Sequence, residues 1–585
     1  MNTSFPHIHH RVDFCVVGGG IPGLIAAIAA ARHGLTVVLM QDRPVLGGNS
    51  SSEIRVHICG ADIHNRNKHM RETGILEELR LENLYRNPNR SFSIWDTILY
   101  EKVLQEPNIT LLLNCSCMDA EIDGAAIHSV TGWQLTTQTY HTVSAKIFAD
   151  CSGDGVLAPL TGAHWRMGRE ARHEYDESIA PEQSDDRTMG MTCLFQTRKY
   201  EKPQPYEPPD WANTYHDCDE LPYRQKGHRW WQMGYWWIEL GGEEHSIHDT
   251  EKVRDELLKI AYGVWDHIKN YCPNRNEAAN WSLEWVQFLP GKRESRRYIG
   301  EHILSQKEVA AGGQFPDIVG YGGWSMDDHH PAGFRAVRIG APATIFHQAP
   351  SPYGIPYRSL YSRNIVNLMF AGRVASCTHV AMSSTRVMGT GATMGQAIGT
   401  AASIAIHKEI LPAGVMDHIE ELQQTLLNDD AYLPGIVQTL SELTTQSRLQ
   451  ASQGDPEPIR DGFNRQVGDD THCWESYPGD ILIYLFPEET FVHSGTLILD
   501  SGLDQNIQMS YHQKDQQLTF LPDVMPKAFR LQGLVNGQWQ AITTVERNHR
   551  RFVKFDIEKE ISGIRYILDE TWGAKKSRLY AFYVE

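Results

Sequence analysis

The stretch from 13 to 42, DFCVVGGGIPGLIAAIAAARHGLTVVLMQD, constrains what this chain can fold into more than any other part of it. Residues 14–17 form a short, β-rich apolar run of the kind buried on both faces of a parallel sheet. GGGIPG at 18–23 then fits G-x-G-x-x-G, with Ile21 and Pro22 in what would be a first helical turn. Residues 24–32 are strong helix formers, Gly34 stands where a helix would be capped, and 35–40 reads as a second strand. A lone glycine motif is a weak signal, but here strand, turn, helix and strand follow in the order of a dinucleotide-binding βαβ unit. In that reading Gly18 makes the tight turn, Gly20 lets backbone approach a pyrophosphate, and Gly23 allows close helix–strand packing. The helix amino end supplies partial positive charge. The acid expected at the end of the second strand to hold a ribose is replaced by Gln41, whose amide oxygen can accept the same hydrogen bond, with Asp42 as the rival.

With 585 residues the chain has room for several domains. Its formal net charge of −18 disfavours nucleic acid and anionic membranes as partners. Residues 14–31 carry no charge, but the glycines and Pro22 break them, so strand, turn and helix is a better reading than a membrane span. The ten cysteines are scattered, with no CxxC pair and no zinc-ligand spacing, so free thiols and no metal are expected. No secretory signal precedes the glycine motif, and the reading is a soluble, cytoplasmic protein.

Three further motifs separate the possible nucleotides: RPVLGGNSSS at 43–52, IFADCSGDGVLAPLTGA at 147–163, and NLMFAGRVASCTHVAMSSTRVMGTGATMGQAIGTAASIA at 367–405. The set resembles FAD-dependent oxidoreductases with the glutathione-reductase-type FAD domain. More closely, it resembles a flavoprotein family often found beside carbohydrate-utilisation genes, some members of which carry a xanthan lyase label. PGKRESRRYIG (290–300), YGGWSMDDHHP (321–331) and YGIPYRSLYSRN (353–364) share that resemblance, which covers roughly residues 10–440. It implies an α/β fold: a Rossmann-type FAD-binding domain (10–164 and 361–440), an inserted α+β substrate domain (165–360), and FAD as cofactor. Cofactor-binding candidates beyond the first motif are Arg43, Gly48, Asn49, Ser50, Asp154, Gly372 and Arg373. In the small-residue helix they are Gly391, Ala392, Gly395 and Gln396. Small side chains would let that helix approach the isoalloxazine, where its dipole favours negative charge on the reduced ring. Related succinate dehydrogenases attach flavin through a His near the place of Asn49, so non-covalent FAD is expected here.

No second G-x-G-x-x-G lies in a βαβ setting and no redox dithiol follows the first helix. Electrons are therefore expected to come from an organic substrate and to leave to an acceptor the sequence does not name. Alcohol oxidation needs a base for the hydroxyl proton, and His is best matched to neutral pH. The candidates within the family-like motifs are His57, His329 with its neighbour His330, and His379. Arg386 is the candidate to hold an anionic or polyol substrate, with Arg55 and Arg293 as weaker choices, since each could equally be a salt-bridged structural Arg.

HRWWQMGYWWIELGG (228–242) reads as a strand with an aromatic face, core more than sugar platform, and 249–270 as an amphipathic helix. From 446 to 585 short alternating strands and an Asn536-Gly537 hairpin signal indicate an antiparallel sandwich. Its ends resemble discoidin-like, galactose-binding-type domains. Such a sandwich can bind sugar, cover the catalytic part or join copies into a homo-oligomer, and the structural role is the one expected. The sequence thus points to hydride transfer from a hydroxyl-bearing carbon of a small, sugar-like substrate to FAD. The alternatives are flavin-dependent elimination, hydration or isomerisation without net oxidation, and a carbohydrate-binding protein with a vestigial flavin fold.

Overall fold

The computed structural model describes residues 5–222, 228, 231–510 and 517–585. Strand β1 (His7–Val17) enters the core at Phe14 and ends at the glycine motif. Helix α1 (Ile21–Arg32) follows, buried over nearly its whole surface because it is wedged between the sheet and a second helix. Gly34, at φ +88°, closes it: Leu35 N–H reaches back to the Ala30 carbonyl and Gly34 N–H to Ala31, as a left-handed cap requires. β2 (Val37–Met40) then pairs parallel to β1, with Phe14 opposite Val37.

β3 (Ile109–Leu112) lies outside β2, and β6 (Thr139–Asp150) pairs parallel to β1 on the other side. The late strand Leu368–Phe370 pairs parallel to the end of β6, so the chain returns to this sheet more than 200 residues on. A meander of β4 (Cys115–Asp123) and β5 (Ala126–Gln134) extends the far half of β6 antiparallel. The carboxyl ends of β1, β2, β6 and Leu368–Phe370 therefore share one edge, where ligands bind in open α/β sheets.

Between the two passes, small antiparallel pairs such as Phe195–Lys199 with Trp281–Val286 pack on helix Thr250–Asp266, whose Val253, Leu257, Ile260 and Val264 are buried. The aromatic run is not the strand its composition predicts. Gly234, at φ +115°, breaks it, and among its described residues only Glu239–Leu240 pairs as a strand. Tyr235 and Trp237 go to the core of this part, while Trp236 stays 36% exposed; Arg229 and Trp230 of the run lie outside the described residues.

The C-terminal part is all antiparallel, as predicted. Ile481–Leu499 and Phe552–Thr571, each read from sequence as two strands, are single long strands bent at irregular register. The polar Pro487-Glu488-Glu489 looks like a turn in sequence but is accommodated as an irregularity, so one strand serves both layers. Asn536 (φ +49°) and Gly537 (φ +75°) make the two-residue turn between Pro526–Val535 and Gln538–Val545. Among the described residues no helix is long and apolar enough to cross a membrane.

Candidate active site

Three loops meet at the shared strand edge. Gly18 takes φ +104°, and a Cβ at Gly23 would collide with the Gly18 carbonyl oxygen, so both glycines are needed to seat α1 on the sheet. Pro22 is the common contact: a Cβ at Gly372 would stand 2.8 Å from its Cγ, and one at Gly391 2.9 Å. The glycine motif, the end of strand Leu368–Phe370 and the amino end of helix Met388–His407 are thus packed against one another. Neither α1 nor the later helix has an acidic residue in its first turn, so both amino ends keep their positive field.

These ends open into a cavity of about 820 Å³, within the range of small-molecule sites. Gly18, Gly20, Ile21, Pro22, Gln41, Asp42, Arg43, Gly48, Asn49, Asp154, Gly372, Arg373 and Gly391 line it, as do His57, His329 and Arg386. Five of the proposed cofactor contacts do not. Gly23 is consumed in packing, and Gly395 likewise lies against the Pro22 backbone. Ser50 turns inward, donating to the Gly47 carbonyl (2.9 Å) and accepting from the Trp95 indole (3.3 Å). Ala392 is core. Gln396 accepts from Ile75 N–H (3.2 Å) and donates to the Asp429 carbonyl, on the helix side facing away from the cavity. Gln41 lines the cavity, but its amide oxygen already accepts from Gly19 N–H at 2.7 Å and its amide nitrogen donates to the Val45 carbonyl. It braces the glycine loop, which moves the ribose role toward Asp42.

Lys292 closes on Asp154 (2.6 Å) beside Arg373 (3.3 Å). Burial alone would raise the Asp154 pKa, but the two cations outweigh it and hold the carboxyl below the usual range. A denser network stands elsewhere on the lining. His329 Nδ1 faces Glu239 (2.6 Å) and its Nε2 faces Asp327 (3.2 Å), while Arg386 donates to Asp327 (3.0 Å). Burial works against a charged His329, yet Glu239 and Asp327 prevail and raise its pKa. Burial likewise works against an ionised Asp327, but His329 and Arg386 bring its pKa down to about 2. With carboxylates on both nitrogens, His329 has each ring nitrogen engaged and is placed to orient its neighbours rather than to accept a substrate proton. Also on the lining, His57, Cys59 and His64 bring a ligating atom each within 4.8 Å of one another.

His379 is outside the lining. Its Nδ1 faces Glu294 (2.9 Å) and its Nε2 faces Asp328 (3.3 Å) in a fully buried setting. Burial alone would lower its pKa, but the carboxylates push it up to about 10, so it is imidazolium at neutral pH and has no lone pair for a substrate proton. Its place is structural: it holds the strand Met326–His329, which carries Asp327 and His329, against its own helix. Because the folded pKa lies above the ordinary 6.5, its stabilisation is complete below pH 6.5 and disappears as pH rises through 10. Denaturant titrations should show the wild type losing about 3–4 kcal/mol relative to His379→Gln between pH 7 and 10.

A model of FAD-dependent oxidoreductases matches residues 13–426. The chain belongs to that family. No curated protein matches it. Solved structures similar to parts of the chain include a geranylgeranyl bacteriochlorophyll reductase-like protein from Thermoplasma acidophilum (11% identity, 72% of this chain and 86% of that one, TM-score 0.34). Mycobacterium smegmatis Sdh1 is another (11% identity, 72% and 77%, TM-score 0.27). The C-terminal part is similar to the family 32 carbohydrate-binding module from Streptococcus pneumoniae EndoD (12% identity, 25% and 99%, TM-score 0.19).

Membership in the FAD-dependent oxidoreductases implies FAD, and the cavity fits it. Gly20 has no atom within 3.9 Å of where a Cβ would stand, leaving its backbone open toward the cavity. On the lining, Arg386 keeps a buried Nε–H without a hydrogen-bond partner among the described residues, a donor suited to a phosphate, flavin or substrate oxygen, while Arg43 Nη1 stands 3.3 Å from the Glu53 carboxylate. Sequence reasoning missed Lys292, Glu239, Cys59 and His64 in this oxidoreductase. Lys292 and Glu239 sit in the inserted part, and nothing in their spacing announces Asp154 and His329 as partners.

Proposed function

We propose that this protein oxidises a hydroxyl-bearing carbon of a small, sugar-like molecule, and that FAD is held non-covalently in the cavity. The observation that carries the reading is that two helix amino ends and the His329–Asp327–Arg386 network meet on the lining of one cavity. Main-chain groups at Gly20 and Gly48 would hold the diphosphate, Asp42 the ribose, and the first turn of helix Met388–His407 would lie at the ring. Bound FAD supplies the hydride acceptor.

The chain's own residues do the rest. Arg386, held by Asp327, would bind a substrate hydroxyl or carboxylate. Trp236, 36% exposed on the cavity lining, would pack against a sugar ring. His57, half-buried on the lining, is the best-placed group to take the hydroxyl proton. Gln508 and Ser510 reach the cavity from the C-terminal part, which supports a covering role for the sandwich.

Anaerobic mixing with a panel of aldoses, polyols and uronic acids tests the reaction. Lasting bleaching of the flavin is expected for net oxidation, whereas turnover with unchanged steady-state flavin would replace this reading with elimination or isomerisation. His57→Asn should keep full flavin content and slow the bleaching step roughly 100-fold. An unchanged rate would remove His57 from the role.

A further inference from the structure

Away from the cavity, four side chains that no cofactor role absorbs converge in the inserted part: Cys218, His228, His267 and Cys272. Each offers a ligating atom, and these atoms all lie within 4.8 Å of one another. Cys218 Sγ is 3.3 Å from His267 Nε2, and Cys272 Sγ is 3.9 Å from His228 Nδ1. Ligands on a tetrahedral zinc, with bonds of about 2.3 Å to sulfur and 2.0–2.1 Å to nitrogen, stand roughly 3.3–3.8 Å apart. The two separations, 3.3 and 3.9 Å, lie at the edges of that range, and the remaining ones are within 4.8 Å, close enough for one ion to draw the four together.

The backbone is shaped to make this set. His267 and Cys272 are five residues apart, and on a regular α-helix they would point about 140° away from each other. Here helix Thr250–Asp266 ends in a π-turn, His267–Tyr271, closed by Cys272 N–H to the His267 carbonyl at 2.7 Å. That i to i+5 turn stacks the two side chains on one side. His267 Nδ1–H donates to the Tyr215 carbonyl at 3.0 Å, which leaves Nε2 as the lone-pair nitrogen turned to Cys218. Cys218 opens a short 3-10 turn, so three separate stretches of chain meet at one point.

We propose that these four residues bind one zinc ion as a closed Cys2His2 site. Two thiol protons leave as it binds, and no position stays open for substrate, so the ion is structural. It ties the turn at Cys218 and the segment at His228 to the end of helix Thr250–Asp266. Met233 and Trp236 of the cavity wall follow His228 by only a few residues, so the ion also anchors that wall.

The full-length protein, purified without a histidine tag, under reducing conditions and without chelator, should carry about one zinc per chain by plasma mass spectrometry. After chelator stripping, Co2+ should give tetrahedral ligand-field bands with thiolate charge transfer. Cys218→Ser and Cys272→Ser should lose the zinc and weaken the charge transfer while retaining FAD. Should either serine variant fail to fold, the wild-type cobalt spectrum still decides, as does the milder His228→Ala, expected to bind zinc at least about tenfold more weakly. A wild type free of zinc that gives no cobalt bands would overturn the proposal. So would a Cys218–Cys272 disulfide in place of metal, or zinc content indifferent to all three substitutions.

Discussion

Gly20→Asp is expected to yield a folded protein that does not bind FAD. Gly20 is the N-cap of α1 at φ −63° and ψ 175°, an extended conformation open to any residue. Nothing lies within 3.9 Å of the added Cβ, so the side chain has room on the cavity side. Asp is a favoured N-cap, and its carboxylate would satisfy α1 amide groups and the helix field, stabilising the helix by up to about 1 kcal/mol. Those same groups would serve the diphosphate, so the substitution supplies an intramolecular anion where the ligand needs to bring its own. Steric overlap and like-charge repulsion together should weaken FAD at least roughly 1000-fold, or about 4 kcal/mol. Equilibrium flavin titration reads the affinity, and far-UV circular dichroism confirms the fold. Tight FAD binding by this variant would move the diphosphate away from α1.

Arg71→Ala should be among the most destabilising single changes. The Arg71 guanidinium is fully buried, pairs with Glu77 at 2.7 Å, and donates to the Ser501, Gly502 and Gln505 carbonyls of the C-terminal part. Its removal leaves the Glu77 carboxylate, itself 1% exposed, without its cation and takes a donor from the Ser501 and Gln505 carbonyls, while Gly502 keeps the Gln505 N–H. Breaking a buried pair from one side costs about 3–5 kcal/mol. The double change Arg71→Met with Glu77→Gln should cost less than the single one, because no charge is then stranded. Denaturant unfolding measures both. A loss below about 1 kcal/mol for Arg71→Ala would mean that the sandwich is not held to the flavin-binding part through this contact.

Both predictions rest on features of unequal legibility in the sequence. The βαβ unit could be read residue by residue, because each piece is local: a buried strand, glycines with steric duties, a helix capped at Gly34. The later strand and its small-residue helix are legible from their motifs, whereas their packing on Pro22 of the first unit is seen only in the structure. What could not be read is which side of that helix faces the cavity. Gly391 lines it, whereas Gln396, little more than a turn further, is turned to Ile75 and Asp429. The standing of the histidines was hidden for the same reason. His379 looked like a base until Glu294, 85 residues earlier in the chain, and Asp328 were found on its two nitrogens. The cysteine–histidine cluster needs a π-turn to exist, and no spacing rule for α-helices reveals a pair at i and i+5.

The account turns on one claim: the cavity between Gly20 and Gly391 is where this family member carries FAD. Flavin titration of the wild-type protein tests it most directly. The account predicts about one FAD per chain, bound tightly and released on denaturation with its diphosphate and ring intact. Folded wild-type protein that is colourless and does not take up added FAD would contradict it.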